Sequence, residues 1–394
     1  MVNTKILEKF RITKTSCKPR LFLMICLFIS LFYSCSDESQ YSLADFYSKN
    51  EVLDQQVNRI FAKLSDQECV GQMVCVMAGE LGNPERKVDS LINRYHIGGI
   101  LLISGNLPDL KDLVRHLKSV VKTKGCLPIL FSADAEPTLL NQKIKGLPAV
   151  PNTDQISDDG VNEAVAAQIS KQLRKMGVRQ NYAPVCDLSQ NKTALKNRSY
   201  GETEGQIGKL PISFIAKSQE MGVVATAKHF PGHGTVETDS HVGLPFINAP
   251  FKELGIFKKA IRAQVICVMV GHIAVNNGSR FDTDSLPASL SPKIVYSLLR
   301  DSLQFNGVVV TDALNMGAVR RYENAAFLAA KAGANVVLEP KSVKEFVEKM
   351  EGEMIKDKAL KKHVYSSAKK MIRLKICLGL IKRPKNEKIE GSGK

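Results

Sequence analysis

The chain has 394 residues, 44% of them apolar and 24% charged, and a formal net charge of +16. That length allows one large α/β barrel or two ordinary domains, and the composition excludes an intrinsically disordered chain. The lysines are scattered, so the basic balance reads as solubility with some affinity for anionic polymers or lipid head groups; nucleic acid is not an expected partner.

At the start of the chain, Lys5, Lys9, Arg11, Lys14, Lys18 and Arg20 precede an uncharged run over residues 21–34. This is the charged and apolar order of an export signal, and it is shorter than the ~20 residues a spanning helix needs. The run closes on Phe32-Tyr33-Ser34-Cys35, followed by polar residues 36–40. A small residue immediately before a cysteine resembles a bacterial lipoprotein cleavage site. Residues 1–35 are therefore expected to be a signal peptide, with Cys35 lipidated and the protein anchored to a membrane after export. Removing six basic residues and one acidic one lowers the formal charge from +16 to +11.

Cys69, Cys75, Cys126, Cys186, Cys267 and Cys377 follow, none in a C-x-x-C pair. An even count in an exported chain admits disulfides, but most of the six sit in or beside apolar runs and read as small buried hydrophobes.

Residues 36–63 form a polar lead-in with helical character. Eight short apolar runs come next, at 72–77, 98–103, 127–132, 180–185, 222–227, 265–270, 307–310 and 334–338. Amphipathic stretches of helical length separate them. Strands that are apolar throughout and alternate with helices predict a parallel sheet covered by helices. Eight such units over residues 64–381 fit a single (β/α)8 TIM barrel. An open doubly wound sheet would carry a Gly-rich phosphate loop after its first strand, and Val76-Met77-Ala78-Gly79-Glu80 is not one. Residues 382–394 read as a tail.

In such barrels chemistry gathers at the C-terminal ends of strands. Here Asp134 and Glu136 follow the third run, and Asp187 and Arg198 the fourth. Lys228, His229, His233, Asp239 and His241 follow the fifth, His272 the sixth and Asp312 the seventh. Polar groups thus collect on one rim, as a sugar-sized site requires. Two schemes compete for the histidines. His229 and His233 have the four-residue spacing of a helical zinc pair, but Pro231-Gly232 breaks the helix that this pair needs. Alternatively, Asp312 is a carboxylate nucleophile and His241 a proton shuttle. Asp239, on the same side of an extended segment, would then orient His241. That combination suits glycoside cleavage, where one group attacks and another protonates the leaving oxygen.

These residues resemble glycoside hydrolase family 3, in particular its single-barrel β-N-acetylglucosaminidases of cell-wall turnover. Lys228-His229-Phe230-Pro231-Gly232-His233-Gly234, followed by Asp239-Ser240-His241, carries the resemblance. Phe305-Asn306-Gly307-Val308-Val309-Val310-Thr311-Asp312, Pro287-Ala288-Ser289-Leu290-Ser291 and Asn181-Tyr182-Ala183-Pro184-Val185 add to it. The resemblance implies Asp312 as the nucleophile and His241 with Asp239 as an acid/base dyad. It also implies Asp134, Arg198, Lys228 and His229 as sugar-binding residues. No metal or cofactor is implied; the expected partners are a glycan containing N-acetylglucosamine and a membrane, and the expected state is a monomer. A non-catalytic glycan-binding lipoprotein, or a β-glucosidase or phosphorylase of the same family, is the alternative.

Two departures from the family pattern stand out. After Asp134 the family has Gln-Glu-Gly-Gly-Arg and a second Arg eight positions on; this chain has Ala135-Glu136-Pro137-Thr138 and Gln142. Losing two glycines alters the loop path, and losing the guanidinium removes a bidentate clamp. Lys196-Asn197 stands where Gly-Asp is common. Neither departure touches Asp312, Asp239 or His241.

Overall fold

A strand whose two faces are both apolar needs cover on both, and a closed barrel wrapped in helices provides it. The computed structural model describes residues 40–190, 195, 197–236 and 239–382. The proposed cleavage site, Cys35 and the tail beyond residue 382 lie outside the described residues. Eight barrel strands follow in chain order: β1 Val74–Ala78, β2 Gly99–Leu102, β3 Leu130–Ala133, β4 Gln180–Asn181, β5 Val224–Phe230, β6 Cys267–Val270, β7 Val308–Thr311 and β8 Val337–Leu338. Consecutive strands from β1 to β7 pair in parallel, and β8 pairs with β1. A bridge between Val310 and Val336 joins β7 to the approach to β8. The Val336 amide donates to Val309 O at 3.0 Å, and the Thr311 amide to Val336 O at 3.1 Å. The fold is the expected (β/α)8 barrel.

Period-two alternation sorts the strand residues between two cores. In β1, Val74 and Val76 face the outer core beneath the helices, while Cys75 joins the inner one. Leu101, Leu130, Val224, Cys267, Val308 and Val310 share that inner core. Its floor is built by the lead-in residues Leu43, Phe46, Leu53 and Val57 against Leu374 and Ile376 of the helix Lys358–Cys377. Arg373 fastens the two, donating to Phe46 O at 2.7 Å and Asp45 O at 2.9 Å. The six described cysteines are free thiols, five of them buried. Among the described residues no helix is long and apolar enough to cross a membrane.

Three local readings of the sequence change. The fourth strand is only two residues long, and Ala183-Pro184 beyond it is a cis peptide bond. The fifth runs three residues further than expected, so Lys228 and His229 are strand residues and not loop residues. Residues 137–142, expected as an altered loop, lie instead in a short helix, Pro137–Lys143, with Pro137 in its first turn, where a proline costs no hydrogen bond.

Asn335 is the polar joint that closes the barrel. Its Oδ1 accepts from the Val309 amide at 2.9 Å and from Arg300, and its Nδ2 donates to Ser367 at 2.9 Å. Asn335→Ala takes a partner from the buried Val309 amide and Ser367 hydroxyl and from the part-buried Arg300 guanidinium, at about 1 kcal/mol or more each. Urea unfolding should show a loss of about 3 kcal/mol; a loss below about 1 kcal/mol would contradict this role.

Candidate active site

Asp134, Arg198, Lys228, His229, Asp239, His241 and Asp312 all line one cavity of about 490 Å³ at the C-terminal end of the strands. That volume lies within the range of about 300–1,000 Å³ usual for small-molecule sites. The cavity wall also includes apolar residues, among them Met77, Leu101 and Met269.

Its floor is a buried charge array. Lys228, only 2% exposed, points its ammonium at Asp134 Oδ1 (2.6 Å) and Glu136 Oε1 (2.5 Å). Glu136, 1% exposed, also takes the Arg198 fork, with Nε at 2.9 Å and Nη2 at 2.6 Å. Burial alone would raise the pKa of both carboxylic acids. The cations outweigh it, leaving Asp134 well below its ordinary range and Glu136 below it. For Lys228, burial works toward the neutral amine, but Asp134 and Glu136 prevail and raise its pKa. The loop carrying both acids is held by Asn181, whose side chain accepts from the Ala135 amide at 2.9 Å and donates to Ala135 O at 3.0 Å. The amide thus continues the ladder where β4 stops.

The second oxygen of Asp134 is paired with Lys143, at the end of the short helix. A cation one residue beyond Gln142 thus reaches Asp134. Gln142 and Lys143 both line the cavity.

His229 is set by Asp187, which is fully buried. Its Nδ1 lies 2.6 Å from Asp187 Oδ2, and the same carboxylate accepts the amides of His229 and His233. Burial would raise the pKa of Asp187, but the two histidines and the His233 amide reverse this. With Nδ1 donating, Nε2 of His229 is left for the cavity. The four-residue spacing of His229 and His233 is not helical, because β5 continues through Phe230. The two rings instead meet edge to face, 6.0 Å apart.

Asp312 continues β7, its amide donating to Val270 O at 2.9 Å. The turn after it is pinned by buried His272, whose Nε2 reaches Ala313 O at 3.0 Å and whose Nδ1 reaches Ser289 Oγ at 2.7 Å. A ring nitrogen facing a carbonyl must donate, so Nε2 carries a proton, and burial lowers the pKa of the ring. Burial pushes the Asp312 acid up, but His229, His272, the Ala313 amide at 2.8 Å and Lys228 together bring it below its ordinary range. It is a part-buried carboxylate that stays ionised and faces the cavity.

Asp239 and His241 adopt a turn, not the extended segment expected. The amides of Val242 and Gly243 donate to Asp239 O, and one carboxylate oxygen, Oδ1, takes both the His241 amide (2.9 Å) and His241 Nδ1 (2.8 Å). This local Asx turn pairs carboxylate and imidazole more tightly than alternation along a strand could. Asp187, Glu136 and Lys143 carry structure that sequence reasoning did not assign. The first two are visible as acids after strands, but their partners lie 42 and 62 residues away.

Residues 66–374 match the Glycosyl hydrolase family 3 N terminal domain. Among curated proteins, the chain is similar to Beta-hexosaminidase A of Pseudoalteromonas piscicida, 28% identical over 289 residues. That alignment covers 66% of this chain and 48% of the relative, so the chain spans about half its length. It is also similar to Beta-hexosaminidase of Glaesserella parasuis serovar 5 (strain SH0165), 30% identical over 260 residues, covering 63% of this chain and 75% of the other. Among solved structures it resembles a glycoside hydrolase family 3 beta-N-acetylglucosaminidase from Paenibacillus sp. str. FPU-7. The TM-score is 0.73 at 26% identity, covering 84% of this chain and 66% of that one.

One buried acid behind the site is not held ionised. Glu253 Oε1 accepts from the Gly234 amide at 3.1 Å, yet burial and the charge of Asp187 push its pKa up to about 7. A raised folded-state pKa means that its stabilising contribution is full below about pH 4.5 and is lost as pH rises through about 7. Thermal melts of wild type and Glu253→Gln should therefore converge at low pH, with the variant gaining on wild type as pH rises to 7. A constant gap across that window would refute the assignment.

Proposed function

The chain belongs to glycosyl hydrolase family 3, and we propose that it is a retaining, exo-acting β-N-acetylhexosaminidase. Its substrate would be a glycan ending in β-linked N-acetylglucosamine, such as a peptidoglycan fragment. One observation carries the reading: an ionised, part-buried Asp312 and an imidazole–carboxylate pair, Asp239–His241, open on the same cavity.

The geometry supports the following roles. Asp312 attacks the anomeric carbon and forms a covalent glycosyl ester. His241, its Nδ1 held by Asp239, donates a proton from Nε2 to the departing oxygen. The same nitrogen then takes a proton from water as the ester is hydrolysed, and the sugar leaves with its original anomeric configuration. Asp134, Lys228 and Arg198 form a fixed donor and acceptor array for sugar hydroxyls, with His229 Nε2 beside it. The array is already paired, so it needs no reorganisation when the sugar arrives.

We also propose export and lipid anchoring through Cys35, on the basis of the residues that precede it. Cys35→Ser should release the protein from the membrane fraction in cells; unchanged fractionation would count against the anchor.

With an aryl β-N-acetylglucosaminide, Asp312→Ala should lower kcat by about 10⁴-fold or more. Full turnover in that variant would end the nucleophile assignment. His241→Ala should cost on the order of 10²-fold or more with poor leaving groups and little in kcat/KM with 2,4-dinitrophenolate. An equal loss for every leaving group would remove the acid role.

A further inference from the structure

We propose that His233 and Ser240 form a tether that holds the Asp239–His241 pair in its working position, both acting as positioning residues. The inference rests on the reading of that pair as the proton shuttle.

Burial is the first observation. Ser240 is 2% exposed, while the side chains of its neighbours Asp239 and His241 are 24% and 67% exposed. A hydroxyl withdrawn from water between two water-facing residues needs partners. Ser240 Oγ lies 3.0 Å from His233 Nε2, and Ser240 O accepts from the Ala318 amide at 3.1 Å. These partners come from different parts of the rim. His233 belongs to the segment leaving β5, where Asp187 holds its amide at 2.8 Å. Ala318 follows Asp312 by six residues, on the segment leaving β7. Ser240 therefore joins the proton shuttle to the segment bearing the sugar-binding His229 and to the one bearing the nucleophile.

Two further details fit a built joint. A Cβ on Gly317 would meet His241 O at 2.5 Å and Val242 O at 2.9 Å, so only glycine lets these segments approach so closely. Within the described residues, Nδ1 of buried His233 has no hydrogen-bond partner. Its side chain's polar contact is thus the one to Ser240.

One neutral hydrogen bond shifts a local equilibrium by roughly two- to tenfold, and proton transfer demands a donor–acceptor approach of about 2.6–3.2 Å. Losing the tether should therefore be felt in the step that needs the proton. Ser240→Ala should lower kcat/KM about tenfold for an N-acetylglucosaminide with an alkoxide leaving group. For the 2,4-dinitrophenyl glycoside, which needs no acid, kcat/KM should stay within about threefold. Ser240→Thr, which keeps the hydroxyl, should restore the first value, and His233→Ala should reproduce the Ser240→Ala pattern. In a His241→Ala background, Ser240→Ala should add nothing, because its effect runs through His241.

Equal losses on both substrates, or full additivity with His241→Ala, would overturn the tether. Should His241→Ala itself show no dependence on the leaving group, the shuttle reading has failed. A normal His241→Ala profile with a leaving-group-independent Ser240→Ala isolates the failure to the tether.

Discussion

The site depends on one buried ammonium. Lys228 stands at the end of β5 with almost no access to water, and a charge there is tolerated only if fully paired. Asp134 and Glu136 are drawn to it from the turn after β3. Two carboxylates so close repel each other, so each needs a further cation: Arg198 from beyond β4 for Glu136, Lys143 from the short helix for Asp134. The end of β5 and the segments after β3 and β4 are thereby tied together by charge as well as by the apolar core. Breaking one member of such an array costs about 3–5 kcal/mol because it leaves the others unpaired. That rigidity is what the proposed sugar site needs, since hydroxyl groups are recognised by direction.

Four histidines around the cavity show how a partner decides what an imidazole can do. His229 leans on Asp187 and His241 on Asp239, each through Nδ1, so the far nitrogen of each remains for chemistry. His272 uses both nitrogens on Ser289 and Ala313 O, and is spent on fixing the turn beside Asp312. His233 spends one on Ser240. On the proposed reading the same side chain serves sugar contact, proton transfer, turn geometry and loop placement, and of these four only His241 is largely open to water.

The barrel was legible because eight both-faces-apolar strands have few other solutions. The strand ends were less so: β5 outruns its apolar stretch because Lys228 and His229 find buried partners, and β4 is cut short before a cis Ala183-Pro184 bond. The cavity residues were legible as polar groups after strands, and all seven open on one cavity. What stayed hidden was pairing. Nothing local in Glu136 announces Arg198, and the substitution at Gln142 reads as a loss until the helix Pro137–Lys143 swings Lys143 onto Asp134. The turn at Asp239 was misread for a similar reason, because an Asx turn and an extended strand place an i, i+2 pair equally well in sequence.

The central claim is that Asp312 becomes covalently bonded to the sugar. Incubation with a 5-fluorinated N-acetylglucosaminyl fluoride, followed by peptide mass spectrometry, addresses it directly. The account predicts one added fluorosugar per chain, on the peptide that contains Asp312. A label on any other residue, or rapid inactivation-free turnover with no adduct and an inverted product, would contradict it.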